Sequence, residues 1–100
     1  MSERELQNAV CDALRVLGWR FCHFRPGRSE RGWRTPITGD AGFPDVVAVR
    51  RDRILWLELK SEAGRLTQEQ ANWLAALGAA GGSVHVIRPS DWDVLEELIR

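Results

Sequence analysis

Gly42-Phe43-Pro44-Asp45-Val46-Val47-Ala48-Val49, continued after Arg50-Arg51-Asp52-Arg53 by Ile54-Leu55-Trp56-Leu57-Glu58-Leu59-Lys60, is the stretch that decides the fold. Apolar runs on either side of a short charged turn predict a β-hairpin, with strands over 45–50 and 54–60 and the turn at Arg51-Asp52-Arg53. The continuous run Val46-Val47-Ala48-Val49 predicts a strand covered on both faces. Asp45 opens one strand and Glu58 lies near the end of the other, so antiparallel pairing brings both carboxylates to the same end of the sheet. Glu58 and Lys60 are two positions apart and share a face, while Leu59 points away into the core. Lys60 is the one lysine among fourteen basic residues; the other thirteen are arginines.

Outward from the hairpin, Leu6, Val10, Ala13, Leu14 and Leu17 recur at helical spacing, with Gly18 as a stop, and predict a helix over 3–17. Residues 19–24 read as a short aromatic-rich strand. From 25 to 43 the chain carries Pro26, Gly27, Gly32, Pro36, Gly39 and Gly42 without a period and reads as a long loop, functional or disordered in a domain this small. Downstream, Leu66, Ala71, Trp73, Leu74 and Leu77 mark a helix over 68–77, ended by Gly78, Gly81 and Gly82. Val84-His85-Val86-Ile87 is a further strand, and Pro89-Ser90-Asp91 leads into a last helix ending at Ile99. The order α-β-β-β-α-β-α predicts an α/β fold, a small mixed sheet flanked by helices, as one domain of 100 residues.

Net charge is zero, but it is unevenly spread. Residues 20–53 hold eight arginines against four acidic residues, whereas residues 91–100 hold Asp91, Asp93, Glu96 and Glu97 against Arg100. A polyanion is therefore attracted to the middle of the chain and repelled by its end. No apolar run approaches the ~20 residues that span a bilayer, and the charged N-terminus lacks the apolar centre of a secretion signal. Cys11 and Cys22 have no metal-type spacing. The expectation is a cytoplasmic protein with reduced cysteines and no membrane partner.

Two carboxylates and an ammonium converging at one sheet end suit phosphodiester hydrolysis. That reaction needs charge stabilised on the phosphoryl oxygens, a nucleophile near neutral pH and help for the leaving alkoxide. A hard cation such as Mg²⁺ serves all three and takes one or two carboxylates plus water and phosphate. Asp45 and Glu58 are the candidate ligands, the Leu59 carbonyl a further oxygen donor, and Lys60 the group that holds the attacking water or neutralises the phosphate. The competing reading is a pair of edge-strand charges beside a turn aspartate.

Pro44-Asp45, twelve residues, then Glu58-Leu59-Lys60 resembles the motif of the PD-(D/E)xK nuclease superfamily, with its restriction-endonuclease-like fold. The order of helix, arginine loop, Gly42-Phe43-Pro44-Asp45, Glu58-Leu59-Lys60-Ser61 and Gly64-Arg65-Leu66-Thr67-x-x-Gln70 is similar to the virus-type replication-repair nuclease (VRR-NUC) domain, especially stand-alone phage versions. The likeness implies metal binding by Asp45 and Glu58, a catalytic Lys60, Mg²⁺ or Mn²⁺ as cofactor with no organic cofactor, and branched or flapped DNA as substrate. It also implies an acidic ligand from the first helix. Glu3 and Glu5 compete; Glu3 continues the apolar stripe toward the sheet, with Gln7 one turn on, so Glu3 is preferred. A negative charge serving only the helix N-terminus is the other reading of Glu3. The family carries a glutamine near the site in the helix where Gln70 lies, although Thr67-x-x-Gln70 is also a capping box.

Arg25, Arg28, Arg31 and Arg34 recur every three residues through the loop and suit a clamp on the DNA backbone. Trp33 reads either as a stacking platform for an unpaired base or as a buried packing residue. His23, just before the loop, reads as a structural strand residue or as a donor to phosphate. A chain with one site cannot cut two strands symmetrically, so a twofold homodimer acting on four-way junctions is expected. The rival readings are a monomeric flap nuclease, a DNA-binding module that does not cleave, and a sequence-specific restriction-type enzyme.

Overall fold

The first helix, α1 (Glu3–Val16), begins on a reciprocal cap: the Ser2 hydroxyl accepts from the Glu5 amide and the Glu5 carboxylate accepts from the Ser2 amide. It ends where Gly18 takes φ 80°, with Gly18 N donating to Arg15 O and Trp19 N to Leu14 O. The chain then runs through β1 (Arg20–His23), β2 (Gly27–Ser29), β3 (Gly32–Arg34), β4 (Val46–Arg50) and β5 (Arg53–Leu59). After these come α2 (Gln68–Ala79), β6 (Ser83–Ile87), a 3-10 turn (Pro89–Asp91) and α3 (Trp92–Ile99). The computed structural model describes residues 1–24 and 38–100, together with the backbone of 27–29 and 32–34.

Four strands form the main sheet in the order β1-β4-β5-β6, antiparallel except for the parallel β5–β6 pair, whose crossover contains α2. The hairpin turn is tight, because Arg50 pairs with Arg53 and only Arg51 and Asp52 lie between them. One face of the sheet carries Val46, Ala48, Leu55, Leu57, Leu59 and Ile87. It is sealed by Leu6, Val10 and Leu14 of α1 and by Leu95 and Ile99 of α3. Burying each such side chain contributes about 1.5–3 kcal/mol, so this layer holds the fold together.

The other face is only partly covered. α2 lies over the β5–β6 side: a Cβ on Gly82 would stand 2.8 Å from Leu77 O and 3.1 Å from the Trp56 ring. Val49 and Ile54, on the same face, remain 38% and 45% exposed. The expected coverage of 46–49 on both faces therefore holds for one face alone. The long irregular segment expected over 25–43 contains the β2–β3 pair, with Arg28 opposite Trp33 and Gly27 opposite Arg34. Gly78 lies inside α2, and the positive φ that ends this helix belongs to Gly81. The α-β-β-β-α-β-α order is otherwise as expected, with β2–β3 an excursion from it. Among the described residues no helix is long and apolar enough to cross a membrane.

Candidate active site

Alternation along the hairpin puts Asp45, Glu58 and Lys60 on the face opposite the apolar core. Val46 pairs with Leu57, and continuing that register by one residue sets Asp45 beside Glu58. Asp45 Oδ2 accepts from the amide of Leu59 at 2.8 Å, which ties the residue opening β4 to the end of β5. Pro44, immediately before it, is buried. Leu59 thus lends its amide to Asp45 and its side chain to the core.

Glu58 is the one charged residue buried among the described residues, with 1% of its surface exposed. As an ionised carboxylate it has no donor for either oxygen. Its carboxyl is pushed up to about 9, first by burial, then by the Asp45 carboxyl, through a hydrogen bond to the protonated form and through like charge. Lys60 offsets part of this rise and Glu3 adds to it. A buried carboxylate with no donor is costly unless a proton or a cation neutralises it. Asp45 and Glu58 therefore fit a divalent cation, although no group of three or more His, Cys, Asp or Glu side chains is gathered for one among the described residues.

Lys60 leaves the strand half-buried, its amide donating to Ile87 O at 3.0 Å. The turn that follows folds back along its stem, since a Cβ on Gly64 would stand 3.6 Å from Lys60 Cδ. Arg88, at the end of β6, holds that turn. Its Nη1 donates to the carbonyls of Ser61 and Gly64, each at 2.6 Å, and of Glu62 at 3.2 Å. The Glu62 carboxylate in turn accepts from the amide and hydroxyl of Ser90. Nothing in the sequence singles out Arg88, because its partners are backbone oxygens that carry no residue signature.

The choice between Glu3 and Glu5 is informed by the helix cap. Glu5 is fully exposed, and its bond to the Ser2 amide holds its carboxyl below the usual range. Glu3 is half-buried and close enough for its charge to be felt at Glu58. Gln7 Nε2 donates to Glu3 Oε2 at 3.5 Å. The spacing Ser2-x-x-Glu5 is itself a capping signature and could have removed Glu5 from contention.

Gln70 closes the α2 cap: its side-chain oxygen accepts from Thr67 N at 2.9 Å and its own amide donates to the Thr67 hydroxyl. The backbone before Asp45 presses on this turn. Gly42 has φ 95°, and a Cβ there would stand 2.6–2.8 Å from the Glu69–Gln70 peptide, so only glycine fits. Gln70 is thus a cap residue packed beside the segment that delivers Asp45.

Other expected contacts are less closely drawn in. His23 is half-buried and pairs with Val46, on the sheet face away from Asp45. Arg25 and Arg31 lie outside the described residues, as do the side chains of Arg28, Trp33 and Arg34. Arg50 and Arg53 contribute to the basic middle of the sequence but face structure: their guanidinium groups lie 4.5 and 5.1 Å from the Trp19 ring centroid. Arg50 donates to Leu17 O and Arg100 O, and Arg53 to Leu98 O.

No curated protein and no solved structure matches the chain significantly. The model of the VRR-NUC domain does match, over residues 14–91, a span that includes Asp45, Glu58, Lys60 and Gln70 and begins after Glu3 and Gln7. The chain belongs to the VRR-NUC domain family, nucleases of the PD-(D/E)xK type.

Proposed function

We propose that this chain is a metal-dependent, structure-selective DNA endonuclease that acts on branched DNA, as a homodimer resolving four-way junctions. The observation that carries the reading is the buried carboxylate of Glu58, without a donor when ionised, beside Asp45 and Lys60. A site that excludes water and leaves a carboxylate without a donor is arranged for a cation, and the family supplies the reaction class. Mg²⁺ or Mn²⁺ bound there would polarise the phosphoryl oxygen and lower the pKa of a bound water.

The chain's own groups then have distinct tasks. Asp45 keeps Oδ2 on the Leu59 amide, which sets its orientation, and its carboxylate would be one ligand to the cation. Glu58 would hold the cation in place of its proton. Glu3 supplies the outer carboxylate from α1, held by Gln7, and the Leu59 carbonyl is a further oxygen donor. Lys60 Nζ holds the attacking water or faces the scissile phosphate, and Gln70 borders the site from the α2 cap. Arg25, Arg28, Arg31 and Arg34, with Trp33, form the DNA-binding arm, gripping phosphates rather than reading bases, whereas His23, on the core face, is a structural strand residue. The half-covered sheet face with exposed Val49 and Ile54 supports pairing with a second copy.

Cleavage of synthetic four-way, flapped and linear DNAs with Mg²⁺ or Mn²⁺, alongside the oligomeric state in solution, tests the reading. Symmetric cuts in the four-way junction by a dimer are expected. A strict monomer that trims flaps would overturn the junction assignment. Tight, metal-independent binding without cleavage of any substrate would overturn the nuclease.

A further inference from the structure

Phe24 stands in the row of residues that crosses the sheet at the candidate active site. His23 pairs with Val46, and Phe24 N donates to Asp45 O at 2.8 Å, so the register continues from Phe24 to Asp45 and from Asp45 to Glu58. One strand spacing, about 4.8 Å, separates each backbone from the next. Phe43 closes the same group from the segment leading into Asp45. Its ring centroid lies 5.7 Å from that of Phe24, at 79°, and 5.0 Å from that of Trp73, at 83°. Trp73 is anchored below by its indole N–H, which donates to Asp40 O at 3.0 Å.

Despite this packing, Phe24 is 44% exposed and Phe43 38% exposed. The perpendicular arrangement locks each ring against its neighbour. Large apolar rings left in water but held rigid match a surface that receives a flat apolar partner at little entropic cost. Their place decides which partner. A strand whose scissile phosphate lies at Asp45 and Glu58, and which continues across the sheet toward β1, carries its adjoining base past the next row position, Phe24.

We infer that Phe24 and Phe43 form a stacking site for an unpaired nucleobase next to the scissile phosphate. The inference rests on the nuclease reading of the Asp45–Glu58 site and deepens it. Preference for branched or frayed DNA arises here from a base that only an unpaired strand can offer, because a base inside a duplex has both faces covered by its neighbours. Phe24 and Phe43 are thus specificity-determining residues, and neither is required for the hydrolytic step.

Binding and cleavage separate this inference from the reading beneath it. In EDTA, affinities of short fluorescein-labelled single strands, one intact and one with an abasic position at the site of stacking, are compared by anisotropy. The wild-type chain should prefer the intact strand by about tenfold. Phe24→Leu and Phe43→Leu should lose that preference, and Phe24→Trp should keep it. In Mg²⁺, the leucine variants should lose about tenfold in kcat/KM on DNA with an unpaired base beside the cut, and less than twofold on fully paired DNA. Equal loss on both substrates, or an intact-strand preference that survives both leucine substitutions, would overturn the stacking site and leave the rings as packing for residues 38–43. Absence of cleavage with the preference intact would sink the nuclease reading alone.

Discussion

Arg50 and Arg53 face each other across one end of the β4–β5 hairpin; Asp45 and Glu58 occupy the other. At the arginine end, the guanidinium groups lie by the Trp19 ring and donate to carbonyls at the C-termini of α1 and α3, where cations are favoured. Trp19 itself donates to Ile99 O at 2.9 Å. Polar atoms there have partners, and the charge serves to fasten helices to the sheet. At the carboxylate end a buried Glu58 has no donor and sits beside a second acid. The same hairpin thus satisfies the polar groups at one end and leaves two acids crowded at the other, which is how a fold spends stability on a site.

Three substitutions sharpen that contrast. Lys60→Ala should lower Mg²⁺-dependent cleavage by about 10²–10³-fold, by analogy with removing one electrostatic donor from a catalytic site. DNA affinity and melting temperature should stay near wild type, and a fully active variant would remove Lys60 from the mechanism. Glu58→Gln should act next most strongly, on stability without metal. The folded-state pKa of about 9 lies above the ordinary value of 4.5. The folded chain therefore keeps a proton that the unfolded chain releases, and stability present at low pH is lost as pH rises from 4.5 toward 9. In EDTA the wild-type melting temperature should fall relative to Glu58→Gln over that window; parallel curves would mean that Glu58 is not desolvated. Arg53→Met is the converse case and the smallest effect. Loss of its bond to Leu98 O and of its place beside Trp19 should cost about 1.5–3 kcal/mol in urea unfolding, with kcat unchanged.

The helices and the hairpin were legible because their signals are local. Apolar periodicity marks α1, Thr67-x-x-Gln70 marks the start of α2, and two apolar runs around a charged turn mark β4 and β5. The alternation of Leu57, Glu58, Leu59 and Lys60 likewise assigns faces without any coordinates. Legibility failed where a residue's role depends on which backbone groups approach it. Arg53 and Arg88 look like any other arginine until the carbonyls of α3 and of the 61–64 turn are brought to them. Coverage of β4 failed for a related reason: a run of valines records apolarity, but where α2 lies is set by the β5–β6 crossover.

By itself, the sequence determined that two acids and one lysine share the far face of a hairpin, because strand periodicity depends on nothing beyond the chain. It could not say that Glu58 would be sealed from water, that the charge of Glu3 would be felt at Glu58, or that Phe24 would stand beside Asp45. Burial and proximity are sums over elements distant in the chain, and only packing them into one body decides those sums.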